Sequence, residues 1–143
     1  MASYRYTGID ELCTALDKLS NVPDTLFKDM LSSMGGILKR HIAESAQKAI
    51  SGVRFISALT LKKPKMDKNG GWSIAVTFDG VRHDATHKKG TREAEIAFIN
   101  EYGLESHNNV AAGYLADAIE KSNTEAVSAA QAILDNWVKE NGF

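Results

Sequence analysis

The chain carries one cysteine, two prolines and no long apolar run, and each scarcity excludes something. With Cys13 alone, no internal disulfide can form, which fits a reducing compartment and rules out a disulfide scaffold. No stretch of about 18 uninterrupted apolar residues occurs, so no membrane-spanning helix is expected. The first residues do not join a charged start to an apolar stretch, so no secretion signal is expected and the chain should fold in a cytoplasm. Recognisable chemistry is just as sparse. There is no phosphate-cradling glycine loop, no dinucleotide fingerprint and no nucleophile elbow. No internal repeat or low-complexity segment breaks the chain into parts.

What is present suits one domain. At 143 residues the chain can bury roughly 68–70% of the surface its unfolded form exposes. Apolar residues make up 43% and charged residues 24%, with a net charge of -1, so the whole molecule makes no electrostatic case for nucleic acid or an anionic membrane. The charge is unevenly spread. Residues 1–53 hold six basic and six acidic side chains, residues 54–92 nine and three, and residues 93–143 two and nine. A basic middle and an acidic end can pair between neighbouring subunits or within one fold.

Periodicity predicts an α+β fold, a small antiparallel hairpin packed against a long N-terminal helix and a long C-terminal helix. Within residues 1–22, the spacing of Ile9, Leu12, Cys13, Leu16 and Leu19 gives a short helix with an apolar face, and Cys13 is expected to be a buried, inert thiol. Residues 23–52 read as a long amphipathic helix running from Pro23 to Ser51, through Leu26, Met30, Met34, Leu38, Ile42 and Ala46. Gly35 and Gly36 interrupt it, so either the helix bends or another element packs close; Gly52 is the expected stop. Residues 53–79 form the hairpin. Leu59 and Leu61 alternate on one side, and Trp72, Ile74, Val76 and Phe78 on the other, around an Asp67–Gly71 turn. Residues 80–92 read as an exposed, mobile basic loop. Residues 93–143 hold a short element over Ala94–Tyr102, either helix or strand, with helix favoured by Thr91 as N-cap and by Glu93 and Glu95 in the first turn. A polar loop over 104–111 leads to a helix from Ala112 to Glu140, with Leu115, Ile119, Ala126, Ala130, Ile133 and Trp137 as its buried stripe.

The search for a reacting group is unrewarding. His83 and His87 lie four apart but in a glycine-bracketed stretch, where they cannot share a helix face, so no metal site is expected. His41 beside an apolar stripe reads as a satisfied boundary histidine. Glu101 and Glu105 are four apart with no second feature to make them an acid/base pair. No enzyme activity and no cofactor are expected. Lys62, Lys63, Lys65, Lys68, Arg82, Lys88, Lys89 and Arg92 could form a basic face, but aromatic residues do not interleave with them, and edge strands commonly carry lysine for protection.

Three stretches carry a family likeness. Ser51-Gly-Val-Arg-Phe-Ile-Ser57 follows the long helix, Ile96-Ala-Phe-Ile-Asn-Glu-Tyr-Gly103 follows the basic stretch, and Ala111-Ala-Gly-Tyr-Leu-Ala-Asp-Ala118 opens the last helix. Their order and spacing, over roughly residues 25–140, resemble the tail-completion, or head–tail joining (neck), proteins of tailed bacteriophages. The second stretch is the nearest match. The chain departs from the family pattern where Ala112, Gly113, Ala116 and Asp117 stand in place of arginines and prolines, and where Leu104 replaces a small polar residue. The glycine loosens a bend that proline would fix.

The resemblance implies a non-enzymatic structural subunit. Such a subunit forms a homo-oligomeric ring on the tail's head-proximal end, and it can be monomeric when free. Its partners would be further copies of itself, the tail tube or terminator, and the head connector, with no membrane and no sequence-specific nucleic acid. Its location would be the virion, and the host cytoplasm during assembly. Arg82, Lys88, Lys89, Arg92, Glu101 and Tyr102 are the candidate interaction residues. A tail-terminator or head-closure subunit is the near alternative. A nucleic-acid-binding adaptor using the basic hairpin and loop is the distant one, and a small motif-free enzyme a third.

Overall fold

The computed structural model describes residues 12–14, 17, 21–50, 54–104 and 111–142. Its frame is two long helices, α1 (Asp24–Ala49) and α3 (Tyr114–Glu140), which make the largest contact in the fold. Between them in sequence come a 3-10 turn (Phe55–Ala58), six short strands, and a ten-residue helix, α2 (Glu93–Tyr102). Strand β1 (Leu59–Leu61) pairs antiparallel with β4 (Val76–Phe78), β2 (Lys65–Met66) with β3 (Trp72–Ser73), and β5 (Val81–Arg82) with β6 (Thr91–Arg92). The fold is α+β, as the periodicity predicts.

The core lies where α1, α2, α3 and the first ribbon meet. Ile42 and Ala46 of α1, Phe55, Leu59, Ala97 of α2, and Tyr114 and Ala118 of α3 form one buried cluster. Phe55 holds it at the centre, edge-on to Phe78 at 5.5 Å and tilted against Tyr114 at 5.6 Å. The Tyr114 hydroxyl is the polar exception, and it donates to the Ala97 carbonyl at 2.8 Å. That bond satisfies a group whose burial unpaired would be costly.

The helices meet through small side chains. The buried stripe of α3 is Tyr114, Ala118, Ser122, Ala126 and Ala130, one residue every four; Tyr114 and Ala118 cluster with Ile42 and Ala46, and Ser122 and Ala126 lie beside Met34, Gly35 and Leu38. Ile119, expected in this stripe, is instead 57% exposed, while Leu115, Ile133 and Trp137 sit half-buried at its margins. A large side chain at the line of closest approach would hold the backbones apart, so Ala and Ser take that line. Polar ties reinforce it: Ser45 Oγ donates to Asp117 at 2.9 Å, and Glu125 bonds both His41, at 2.8 Å, and Arg40. His41 is therefore a satisfied boundary residue.

Gly35 is a place of close approach rather than a bend. A Cβ there would stand 2.5 Å from Leu61 Cδ1 and 3.1 Å from Ile74 Cδ1, so the glycine lets the ribbon lie down on α1. Gly36 has open space around it. The ribbon runs on past β1 and β4 through the Lys62 N–H bond to the Ala75 carbonyl, but Pro64, lacking a donor, stands between the two paired segments. Asp67 organises the turn, its Oδ1 accepting from the Asn69 and Gly71 N–H groups at 2.8 Å each.

Several boundaries differ from expectation. Helix α1 ends at Ala49, with Ile50 extended; Gly52 and the rest of 51–53 fall outside the described residues. The expected loop over 80–92 is a hairpin, β5 paired with β6. The chain leaves it directly into α2, whose N-cap position is Arg92 rather than Thr91, which is in strand β6. Helix α3 starts at Tyr114, not Ala112. Gly113 precedes it with φ of 64°, a left-handed turn that glycine adopts without the usual steric cost, so it sets the bend rather than loosening it. Residues 12–14 and 17 are helical, the remainder of the expected first helix lying outside the described residues. Cys13 is exposed, as is Leu12 at 58%, so the expected burial of this apolar face does not hold there. Asn108, Asn109 and Glu105 also lie outside the described residues.

Candidate interaction surface

The stretch Ala94–Tyr102 lies in α2, with Gly103 just past its end, and the ten residues of the helix divide by face. Ala97 and Glu101 point inward, at 2% and 4% exposure, while Phe98 and Tyr102 point to solvent at 61% and 63%. Both pairs are spaced by four, the helical repeat that puts residues on one face. The outer rings lie 4.6 Å apart at a tilt of 49°, an exposed aromatic pair on a helix held from behind.

What holds it is Glu101. Its Oε2 accepts from the Leu115 N–H at 2.7 Å and its Oε1 from the Ala116 N–H at 3.1 Å. The first turn of α3 needs such an acceptor, because Gly113 has no side chain to cap it. A buried carboxylate at a helix N-terminus also meets the positive end of the helix dipole. The Gly113 N–H bonds the Glu101 carbonyl at 3.2 Å and the Ala112 N–H bonds the Asn100 carbonyl at 2.9 Å, so α2 and the start of α3 are clamped by backbone as well. Next to this clamp, burial first and the Glu101 charge second push the Tyr114 hydroxyl well above the ordinary phenol range.

Glu101 is thus an internal brace rather than the contact residue the sequence suggests. Arg82 is similar. It grips Glu93 with two bonds of 3.0 Å, both side chains 14% exposed, which ties the second hairpin to the base of α2. Arg92 is exposed and pairs with Glu95 at 2.8 Å. Lys88 and Lys89 are exposed and make no ion pair among the described residues. Tyr102 is exposed as expected. The structure therefore places Arg92 at the N-cap of α2 and Tyr102 at the helix's other end, sets Lys88 and Lys89 at the turn of the hairpin that feeds it, and withdraws Arg82 and Glu101 from the surface.

The hairpin turn is built on Asp84. Its Oδ1 accepts from the Thr86 and His87 N–H groups at 3.0 and 2.8 Å and meets His87 Nδ1 at 2.8 Å. His87 first, and the backbone bonds after it, hold the Asp84 carboxyl below its usual range. His83 lies over Gly90 instead. The two histidines are thus separately engaged, and no group of three metal-binding side chains occurs among the described residues. No described helix is long and apolar enough to cross a membrane.

Two residue sets escaped the sequence reading. Phe98 was legible from its spacing to Tyr102, had Glu101 been recognised as inward. The other is an apolar groove of about 240 Å³ between α1, the first ribbon and α3, floored by Met34, Leu38, Ile74 and Ala126 and edged by Leu31 and the exposed Ile119. Its parts come from three separate segments, which no local pattern unites. Comparison with known proteins finds no matching family model, no similar curated protein and no similar solved structure.

Proposed function

We propose that the chain is a structural subunit of a tailed bacteriophage's head–tail junction, a tail-completion (neck) protein that joins the finished tail to the head connector through surfaces rather than through a reacting side chain. The observation carrying this reading is the behaviour of Ile96–Gly103, the stretch nearest the family pattern. It folds as a short helix anchored by the buried Glu101, and that anchoring holds Phe98 and Tyr102 out in solvent. Aromatic side chains held rigid on a surface are the usual centres of protein–protein contacts, since they bury much area at low entropy cost. An apolar groove and the exposed Lys88 and Lys89 supply further contact surface on the same small molecule.

The test is a deletion of the gene in its phage. The expected outcome is DNA-filled heads and finished tails that accumulate separately and join when purified protein is added. Tails of uncontrolled length would instead assign a terminator, and heads that lose their DNA a head-closure subunit. Normal virions in the absence of the protein would overturn the reading.

A further inference from the structure

Two apolar faces of this chain stand open, and they match in length. The first is the groove between α1, the first ribbon and α3, floored by Met34, Leu38 and Ala126 and edged by Ile119. It does not stop at Leu31. One turn back along α1 lies Phe27, 38% exposed, and one turn on from Asn123 along α3 lies Val127, 52% exposed. From Phe27 to Leu38 this seam is about 16 Å long. The second face belongs to residues 9–19, where Ile9, Leu12, Cys13, Leu16 and Leu19 fall on one helical side. A helix over that stretch is about 15 Å long. Of it the structure describes residues 12–14 and 17, all helical, and there the apolar side looks outward: Leu12 is 58% exposed and Cys13 is exposed. Thr14 and Asp17 instead border a depression with Pro23, Trp137 and Asn141, with Trp137 about 16 Å along α3 from Ala126.

We infer that the groove is the seat of this chain's own N-terminal segment: residues 9–19 swing at Val22–Pro23 and lie antiparallel to α1 in the seam, a third helix over the α1–α3 pair. From that hinge, antiparallel packing sets Leu19 beside Phe27, Leu16 beside Leu31 and Leu12 beside Met34. Asp10, Glu11, Thr14 and Lys18 fall on the other side of the segment and stay in water. Pro23 is extended, with ψ of 144°, and the residue before a proline is disfavoured in a helix, so the segment does not run on into α1 as one rod. Connections of about two to eight residues are usual between neighbouring helices. The tether selects this occupant. A segment on a short linker is present at an effective concentration of roughly millimolar, far above any separate protein in dilute solution. Mating the two faces removes both from water. The arrangement with Leu12 exposed is the open state of this strap, and the groove is offered to a partner only while the strap is out. The inference concerns the free chain and stands apart from the junction reading.

The single natural cysteine, Cys13, lies on the face that docks and reports its burial. The experiment is its rate of reaction with 4,4′-dithiodipyridine, an uncharged thiol reagent, in the full folded chain and in the same chain unfolded in urea. Protein concentrations of about 1–100 μM keep any second copy well below the effective concentration of the tether. Folded wild type should react about tenfold or more slowly than the unfolded chain, the reading of a strap closed about nine-tenths of the time. Ile119→Glu and Val127→Glu change exposed groove residues, so each should keep the wild-type far-UV circular dichroism and bring the rate back to the unfolded one. Leu12→Asn should do the same from the segment's side. It should also raise binding of the apolar dye ANS, and Ile119→Glu added to it should remove that gain. A folded wild type whose Cys13 reacts as fast as the unfolded chain would overturn the inference. So would protection that survives the folded groove variants, which would put the cover elsewhere, and protection that appears only as concentration rises, which would assign the groove to a second copy.

Discussion

One carboxylate does more for the arrangement of this surface than any exposed residue. Glu101 is 4% exposed, spends both oxygens on the Leu115 and Ala116 N–H groups, and sits where α3 has no cap of its own. Hydrogen bonds to a charged group contribute about 1.5–3 kcal/mol each, and their loss leaves the two N–H groups at the start of α3 without their acceptor. Glu101→Ala should therefore lower the unfolding free energy by about 2–3 kcal/mol, read from urea denaturation, with Glu101→Gln losing less because one acceptor survives. The same substitution should free the α2 helix from α3 and raise amide exchange over residues 97–102. An unchanged urea midpoint for Glu101→Ala would show that the clamp is backbone alone. A charged residue in an apolar stretch reads as surface, and the sequence offered only an indirect hint otherwise: a helix start at Tyr114 preceded by a glycine that cannot cap it.

At the scale of elements, the two glycines of α1 separate two explanations that look alike in sequence. A glycine in a helix interior costs about 1 kcal/mol against alanine. A Cβ added at Gly36 would meet no other part of the fold within 4 Å, so Gly36→Ala should raise the unfolding free energy by about 0.5–1 kcal/mol. At Gly35 the added carbon would meet Leu61 and Ile74, and those side chains must shift, so Gly35→Ala should show none of that gain. Equal gains at both positions would mean that the ribbon does not rest on α1 as described. The long helices and the first ribbon were legible because their apolar spacing persists for many residues. The β5–β6 hairpin was not, since two-residue strands are too short to show a period and its pairing is held by Arg82 and Glu93 eleven residues apart. On α3 the expected stripe differs at Ile119, for a different reason. Hydrophobic size pointed to Ile119, while close packing selected Ala118 and Ser122. Size marks what prefers to leave water, but the line between two helices belongs to whatever lets them approach.

For the whole molecule, the charge blocks noted in the sequence resolve into partners inside the fold and leftovers outside it. The acidic end pairs with α1 through Arg40, His41 and Ser45, and with the second hairpin through Arg82 and Arg92. Lys88, Lys89 and Glu120 are exposed and make no ion pair among the described residues. The internal pairs also set the pH range over which the fold persists. The carboxyl groups of Asp117 (chiefly through Lys121, then Ser45), Glu125 (through His41), Asp79 (through Lys62) and Asp84 (through His87) are all held below the usual carboxylate range. A carboxyl with a depressed folded pKa stabilises the fold above its unfolded value of about 4 and loses that contribution as pH falls through the folded value. Tyr114 runs the other way. Its raised folded value leaves stability intact below about pH 10, where the unfolded phenol ionises, and stability falls as pH climbs beyond it. Urea midpoints should therefore form a plateau across neutral pH with an acid limb below about 4 and an alkaline limb above about 10. Asp117→Asn combined with Glu125→Gln should flatten the acid limb and lower the plateau, and Tyr114→Phe should flatten the alkaline limb while leaving the acid one alone. If the double variant kept the full acid slope, the ties between α1 and α3 would be ornamental and the helix pair would stand on its small-residue packing alone.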